Sequence, residues 1–262
     1  MKVSACIEML FRDEADFYRR IKLAKESGAS YIEFWGWTAK DMQRIKQLAE
    51  EYGIGVSGFS LSSGDGEKDK ARAAQPLVDD LGDDLIVYAA QKSLEQAQAL
   101  GAKTLILTVG EAPRGEWDGQ KRHNMVRKLT KAADVLKGTG VKLVIEPLNL
   151  YDHPGYFLTR SAEAAEVVRL VGREEIAMLF DVYHQQISEG NLIQNIRNFK
   201  DAIGYYHIAD VPGRNQPGTG EINYKNVFSA IAETGYDGPL GLEYVAKGDS
   251  VQSVRDTIAL LG

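Results

Sequence analysis

Short apolar runs of strand character alternate with longer amphipathic runs about eight times along this chain. That repeat leaves few folds open to it. The strand-like runs fall at 2–8, 31–35, 54–60, 103–109, 141–147, 176–181, 203–209 and 239–244. Helical patterns lie between them near 14–27, 39–52, 77–100, 119–138, 161–171, 191–200, 223–234 and 250–261. A strand that must cross a helix before the next strand cannot form a hairpin with it, so the strands pair in parallel through right-handed crossovers. Eight such units close most naturally into a barrel, and 262 residues is the usual size of one. The spacing therefore predicts an α/β chain with a single domain over 1–262, a (β/α)8 TIM barrel.

Local punctuation agrees with these boundaries. Gly28, Gly53, Gly101, Gly172 and Gly235 each follow a helical run, where a left-handed residue ends a helix. Thr38 and Ser161 stand before helical runs as N-cap candidates. Two long segments follow strands, Ser60 to Asp69 and Asp210 to Gly220, and the second is stiffened by two prolines and three glycines. Irregular loops at the C-terminal face of a barrel are where such folds carry function.

Four polar residues sit at the C-terminal edges of four successive strand runs: Glu146, Asp181, His207 and Glu243. The gaps between them, about 35, 26 and 36 residues, correspond to roughly one strand–helix unit each. In a barrel these four converge on one rim. Three carboxylates drawn together repel one another unless a cation joins them. Three carboxylates and an imidazole suit one divalent ion such as Mn²⁺, Mg²⁺ or Co²⁺ better than a thiolate-seeking metal.

Other polar residues flank this group. Alternation sends Asp181 and Tyr183 to one side, while His184 falls in the turn beyond; it is either a capping histidine or a neutral donor to a substrate oxygen. Arg214, in Pro212-Gly-Arg-Asn215, is either a solvated loop charge or a fork for an anionic or hydroxylated substrate end. Asp152 either caps its loop or hydrogen-bonds substrate or a water. His153 reads as structural, His123 as a surface helix residue, and Trp35 and Trp37 as core or pocket wall.

Composition narrows the partners. The net charge is −6 with no long basic run, which leaves no electrostatic footprint for nucleic acid or an anionic membrane. No apolar stretch approaches the roughly 18 residues of a membrane span, and the N-terminus carries no signal pattern, so a cytoplasmic location is expected. Cys6 is the only cysteine and lies inside an apolar run, as a buried structural thiol does. Neither a dinucleotide-binding glycine pattern nor a phosphate loop is present.

Several blocks together resemble the xylose-isomerase-like barrel superfamily, and within it the hydroxypyruvate isomerase family. They are Tyr31-Ile-Glu-Phe34, Ile145-Glu-Pro-Leu-Asn149, Phe180-Asp-Val-Tyr-His184, Ile208-Ala-Asp-Val-Pro-Gly-Arg214, Pro217-Gly-Thr-Gly-Glu-Ile-Asn-Tyr224 and Gly241-Leu-Glu-Tyr244. The resemblance implies that Glu146 and Glu243 are metal-bound and exchange the substrate proton, and that Asp181 and His207 complete the metal shell. It implies a metal-dependent isomerase acting through a cis-enediolate on a small sugar or keto acid, assembled as a homodimer or homotetramer. His207, the Asp181-x-x-His184 pair and Arg214 also resemble the ketose 3-epimerases of the same superfamily. An inosose dehydratase and a non-catalytic sugar-binding barrel share the scaffold as well. The endonuclease IV type needs a histidine-rich multi-zinc site and a basic face, which four histidines and a net charge of −6 do not supply.

Overall fold

A computed structural model describes residues 1–112 and 119–261. Eight strands form a closed barrel in chain order. They are β1 (Val3–Cys6), β2 (Tyr31–Phe34), β3 (Gly55–Ser60), β4 (Thr104–Thr108), β5 (Lys142–Glu146), β6 (Ile176–Asp181), β7 (Ile203–Ile208) and β8 (Leu240–Leu242). Every pairing is parallel, and β8 closes on β1 through Val3 opposite Leu240. All eight strand runs of the sequence are present, each within a few residues of its expected ends.

Period-two alternation sorts the side chains. Val144, Ala177, Leu179 and Tyr205 form a small cluster with Ile106. Leu143, Ile145, Met178, Phe180, Tyr206 and Ile208, from the alternate positions, join the larger core beneath the helices. The small cluster is thus the barrel interior, and its parity sends Glu146, Asp181, His207 and Glu243 inward at the C-terminal mouth. Asp181 lies directly opposite His207 in the β6–β7 ladder, and His207 opposite Gly241 in the β7–β8 ladder. A methyl group on Gly241 would stand 2.6 Å from His207 Cδ2 and 2.7 Å from Glu33 Oε2, so only glycine admits both side chains there.

Ten helices occur among the described residues: α1 (Arg19–Glu26), α2 (Met42–Tyr52), α3 (Gly66–Ala74), α4 (Asp83–Leu100), α5 (Gly119–Leu136), α6 (Ser161–Val171), α7 (Val182–Ser188), α8 (Leu192–Phe199), α9 (Tyr224–Glu233) and α10 (Ser250–Ala259). Two of them, α3 and α7, were not expected. Helix α3 buries none of its residues, so it carries no apolar period, and it is started by Asp65 accepting from the Glu67 and Lys68 N–H groups. Helix α7 begins without a loop directly after β6.

Both N-cap expectations need correction. Asp41, not Thr38, caps α2 by accepting from the Arg44 N–H, and Thr38 donates instead to Asp69. Ser161 is the first residue of α6, where Glu163 takes the Arg160 N–H and the Ser161 hydroxyl donates to Glu189. The left-handed glycines 28, 53, 101, 172 and 235 stand as expected. Cys6 is buried. No described helix is long and apolar enough to cross a membrane.

The loop after β7 is built on one carboxylate. Asp210, fully buried, accepts the N–H groups of Val211 and Ile222 on Oδ1 and those of Gly218 and Gly220 on Oδ2. This loop carries Arg214, which adopts a left-handed backbone at φ 53°. Replacing Asp210 by alanine leaves four donors without their acceptor, which at ~1–3 kcal/mol for an unmet buried group predicts a loss of at least ~3 kcal/mol in unfolding free energy. Urea denaturation of Asp210→Ala measures it; a loss below ~1 kcal/mol would show that water replaces the carboxylate.

Candidate metal centre and its cavity

Asp181 shows how sequence sets the geometry of this centre. It ends β6 and caps α7, its Oδ1 accepting the N–H groups of Tyr183 at 2.8 Å and His184 at 3.2 Å. That capping bond locks the carboxylate and leaves Oδ2 directed at the barrel mouth. Glu146, His207 and Glu243 each offer a further ligand atom, and the four atoms lie within 4.8 Å of one another. All four residues are buried.

His207 is oriented from two sides. Its Nδ1 faces Glu243 Oε2 at 3.1 Å, Glu146 Oε1 at 3.5 Å and Asp181 Oδ2 at 3.9 Å. Its Nε2 faces Glu33 Oε1 at 3.0 Å. Glu33 is held by the Tyr205 hydroxyl, which is also 3.0 Å from Ser57 Oγ, itself 2.7 Å from Ser4 Oγ. A carboxylate behind the remote nitrogen of an imidazole fixes the ring and raises the basicity of the other nitrogen, as at histidine-ligated metal sites.

The donor set fits a divalent cation. Glu146 Oε1 and both His207 ring nitrogens are buried without an aligned hydrogen bond, and a cation at the cluster would satisfy Glu146 Oε1 and His207 Nδ1. Ligands on opposite sides of a cation, each at ~2.0–2.2 Å, lie ~4.0–4.4 Å apart, so the observed cluster needs only a small contraction. Arg214 Nη2 contacts Asp181 Oδ2 at 3.0 Å and also pairs with Glu243 Oε2. An ionised carboxylate oxygen has lone pairs for more than one partner, so guanidinium and cation can share these oxygens. Trp35 donates its indole N–H to Glu243 Oε1 at 2.9 Å.

Charge is distributed unevenly over the cluster. Burial pushes the Glu146 carboxyl up to about 7, with His207 opposing. Burial also pushes Glu243 up, but His207 and Arg214 outweigh it and hold Glu243 well below the usual carboxylate range. His207 is lowered by burial and raised more strongly by Glu243 and Glu33, so it lies well above its ordinary value.

The cluster opens on a cavity of about 240 Å³ whose wall includes Trp35, Leu61, Arg72, Thr108, His184 and Arg214. Pockets for drug-sized ligands run to ~300–1,000 Å³, so this one suits a small metabolite. His184 is neutral in it: burial pushes the imidazole down to about 4. Its Nδ1 accepts from the backbone N–H of Asn149 at 3.3 Å and lies 2.7 Å from the Asn149 side-chain nitrogen. The proton therefore sits on Nε2, 3.7 Å from Asp181 Oδ2. This leaves the His184 Nε2–H beside the cluster.

Asp152 stands off this cavity. It is exposed, accepts from Tyr183 Oη at 2.7 Å and from the Asn149 side chain at 3.0 Å, and so props the residue that sets the His184 tautomer. Arg214 lines the cavity, but its Nη2 is committed to two carboxylates of the cluster, so it is no solvated loop charge. His153, read as structural, also lines the cavity, while His123 is an exposed helix residue as expected. Sequence reasoning missed Glu33 and Asn149 as supports of the two histidines. Each lies in a block that carried the family resemblance, which was the available signal.

A family model described as xylose isomerase-like TIM barrel matches residues 21–261. The hydroxypyruvate isomerase of Escherichia coli K12 is 33% identical over 245 residues, covering 93% of each chain. The 2-oxo-tetronate isomerase of Haemophilus influenzae is 29% identical over 252 residues, covering 95% of each. A crystal structure titled AP endonuclease, family 2, from Brucella melitensis superposes with a TM-score of 0.87 at 28% identity, over 99% of both chains. Fold and site define a barrel enzyme with a buried cluster able to hold a metal ion. The chain belongs to the xylose isomerase-like TIM barrel family, and its activity is of the isomerase class.

A cation entering this cluster must displace protons, because its ligands bind in their deprotonated forms. With Glu146 raised to about 7 and His207 raised above its ordinary value, Mn²⁺ affinity should climb as pH rises toward and through 7. Calorimetric titration at pH 6 in buffers of different ionisation enthalpy should report about one proton or more released per Mn²⁺. Binding with no proton release at pH 6 would place the ion elsewhere.

Proposed function

We propose that this chain is a metal-dependent isomerase of a small 2-keto acid that carries a hydroxyl group beside its carbonyl, of the hydroxypyruvate type. The observation that carries the reading is the convergence of Glu146, Asp181, His207 and Glu243 in a buried cluster with ligand atoms within 4.8 Å. Its position at the mouth of a small cavity, and relatives over nearly the whole chain named for keto-acid isomerisation, support it.

Glu146, Asp181, His207 and Glu243 would hold one divalent ion, Mn²⁺, Mg²⁺ or Co²⁺. When bound, such an ion acts as a Lewis acid that stabilises developing negative charge on the substrate oxygens. The protein groups move the protons. Glu146 and Glu243 are the two carboxylates at the reacting carbons. One takes the proton from the hydroxyl-bearing carbon, giving a cis-enediolate. Both carboxylates start deprotonated, so that proton is relayed, with exchange against solvent, to the other, which delivers it to the former carbonyl carbon and returns to its carboxylate form. One C–H bond breaks, one forms, and the hydroxyl proton passes to the former carbonyl oxygen, so the product is an isomer. The neutral His184 offers its Nε2–H to a substrate oxygen, and Asn149 with Asp152 keeps it in that tautomer. Trp35 and Arg214 hold Glu243 by its two oxygens and so fix the direction of its attack.

Solvent-deuterium incorporation into hydroxypyruvate, followed by proton NMR, tests this. Exchange should require one equivalent of divalent ion, and chelation should abolish it. Glu146→Gln and Glu243→Gln keep an oxygen donor but cannot accept a proton, so each should lose about three decades of exchange rate or more while circular dichroism stays unchanged. Near-normal exchange in both variants would mean that the base lies elsewhere.

A further inference from the structure

The cavity carries a second cation whose charge the proton transfer leaves unused. Arg72, on α3, lines the same cavity as Glu146, His207 and Glu243, at the part of its wall formed with Ser60, Leu61 and Thr108. One nitrogen, Nη2, donates to the Leu61 carbonyl at 3.1 Å. Its Nε is buried with no hydrogen-bond partner. Among the described residues Arg72 makes no ion pair; Asp69, the acid whose charge acts on it, is occupied by the Ser63 N–H at 2.8 Å and the Thr38 hydroxyl.

Lys128 repeats the pattern in an adjoining cavity. It is fully buried and donates to the Pro76 carbonyl at 2.9 Å, and it too pairs with no described carboxylate. It lines a neighbouring cavity that shares Arg72, Leu107 and Thr108 with the first. Burial lowers both cations from their usual values, which is the mark of charges taken from water without compensation. Two such groups lining one cavity, in a chain with net charge −6, are costly unless an anion comes to them.

We propose that Arg72, with Lys128 behind it, forms the subsite for the carboxylate of the substrate. The outer guanidinium nitrogens, at the end of a side chain that lines the cavity, suit the oxygens of a carboxylate. Arg214 suits it less, because its Nη2 is spent on Asp181 and Glu243, and a substrate carboxylate there would face the acidic cluster itself. The carbonyl and hydroxyl end of the substrate then lies over Glu146 and Glu243, and the acid end lies under α3. The subsite selects keto acids over neutral ketoses of the same size. It rests on the keto-acid reading given above.

Steady-state kinetics of Arg72→Met and Arg72→Lys with hydroxypyruvate, and with dihydroxyacetone as its uncharged counterpart, separate the two claims. Arg72→Met should raise KM for hydroxypyruvate by about tenfold to a hundredfold, the worth of one charge-assisted contact. Deuterium exchange into dihydroxyacetone should stay within about twofold of wild type, a control that a misfolded variant would fail. Arg72→Lys should recover part of the hydroxypyruvate loss. If wild type turns over hydroxypyruvate and Arg72→Met leaves that KM unchanged, or if both substrates suffer equally, the subsite is overturned while the keto-acid reading stands. If wild type exchanges protons with dihydroxyacetone and larger neutral ketoses but not with hydroxypyruvate, the keto-acid reading falls and the subsite with it.

Discussion

Four carboxylates, Glu33, Glu146, Asp181 and Glu243, share one buried space with His207 and Arg214 at the mouth of the barrel. Burying one unpaired charge is already expensive, and like charges at such distances oppose one another further. The surrounding structure is arranged to bear that cost. Asp181 has one oxygen tied to the first turn of α7, Glu243 has its oxygens taken by Trp35 and Arg214, and Glu33 is closed off by Tyr205 and His207. Glu146 Oε1 is buried without a hydrogen bond, as is Glu33 Oε1, and the Glu146 carboxyl is the one that rises to about 7. The cluster is a set of preoriented donors able to hold a metal ion.

Orientation is carried inward through the barrel. Ser4, Ser57, Tyr205 and Glu33 form a hydrogen-bonded chain across β1, β3, β7 and β2 that ends on His207 Nε2. Inward positions of a barrel are ordinarily apolar, as Ile106, Val144 and Leu179 are here. The polar chain replaces packing on the opposite side, and Gly241 leaves the room it needs. A second support runs from Asp152 through Asn149 to His184. His184 and His207 are therefore each held from behind by residues that do not themselves line the cavity.

The barrel and the four cluster residues were legible in the sequence for one reason. Strand period and strand–helix spacing are local, and a polar residue closing an apolar run stands out by contrast, as Glu146 does after Leu143-Val-Ile and Asp181 does after Met178-Leu-Phe. Glu33 carries no such contrast, because its role depends on a bulge between Ile32 and Glu33 and on contact with a residue 174 positions later. Arg72 was hidden by α3, a helix with no buried face and hence no periodic signature. Asp210 looked like any loop acid; its four backbone partners come from a chain reversal that spacing does not encode. Asp152 was placed at the site by proximity in sequence to Glu146, and it acts one step removed from the cavity.

The account stands on a single cation occupying the centre of the cluster. A crystal of the protein grown with Mn²⁺ and measured at a wavelength where manganese scatters anomalously tests this most directly. One strong peak should lie among Glu146, Asp181, His207 and Glu243, facing His207 Nδ1, with Nε2 still on Glu33. A peak elsewhere, or full occupancy of the centre by Arg214 with no manganese at saturating concentration, would contradict it.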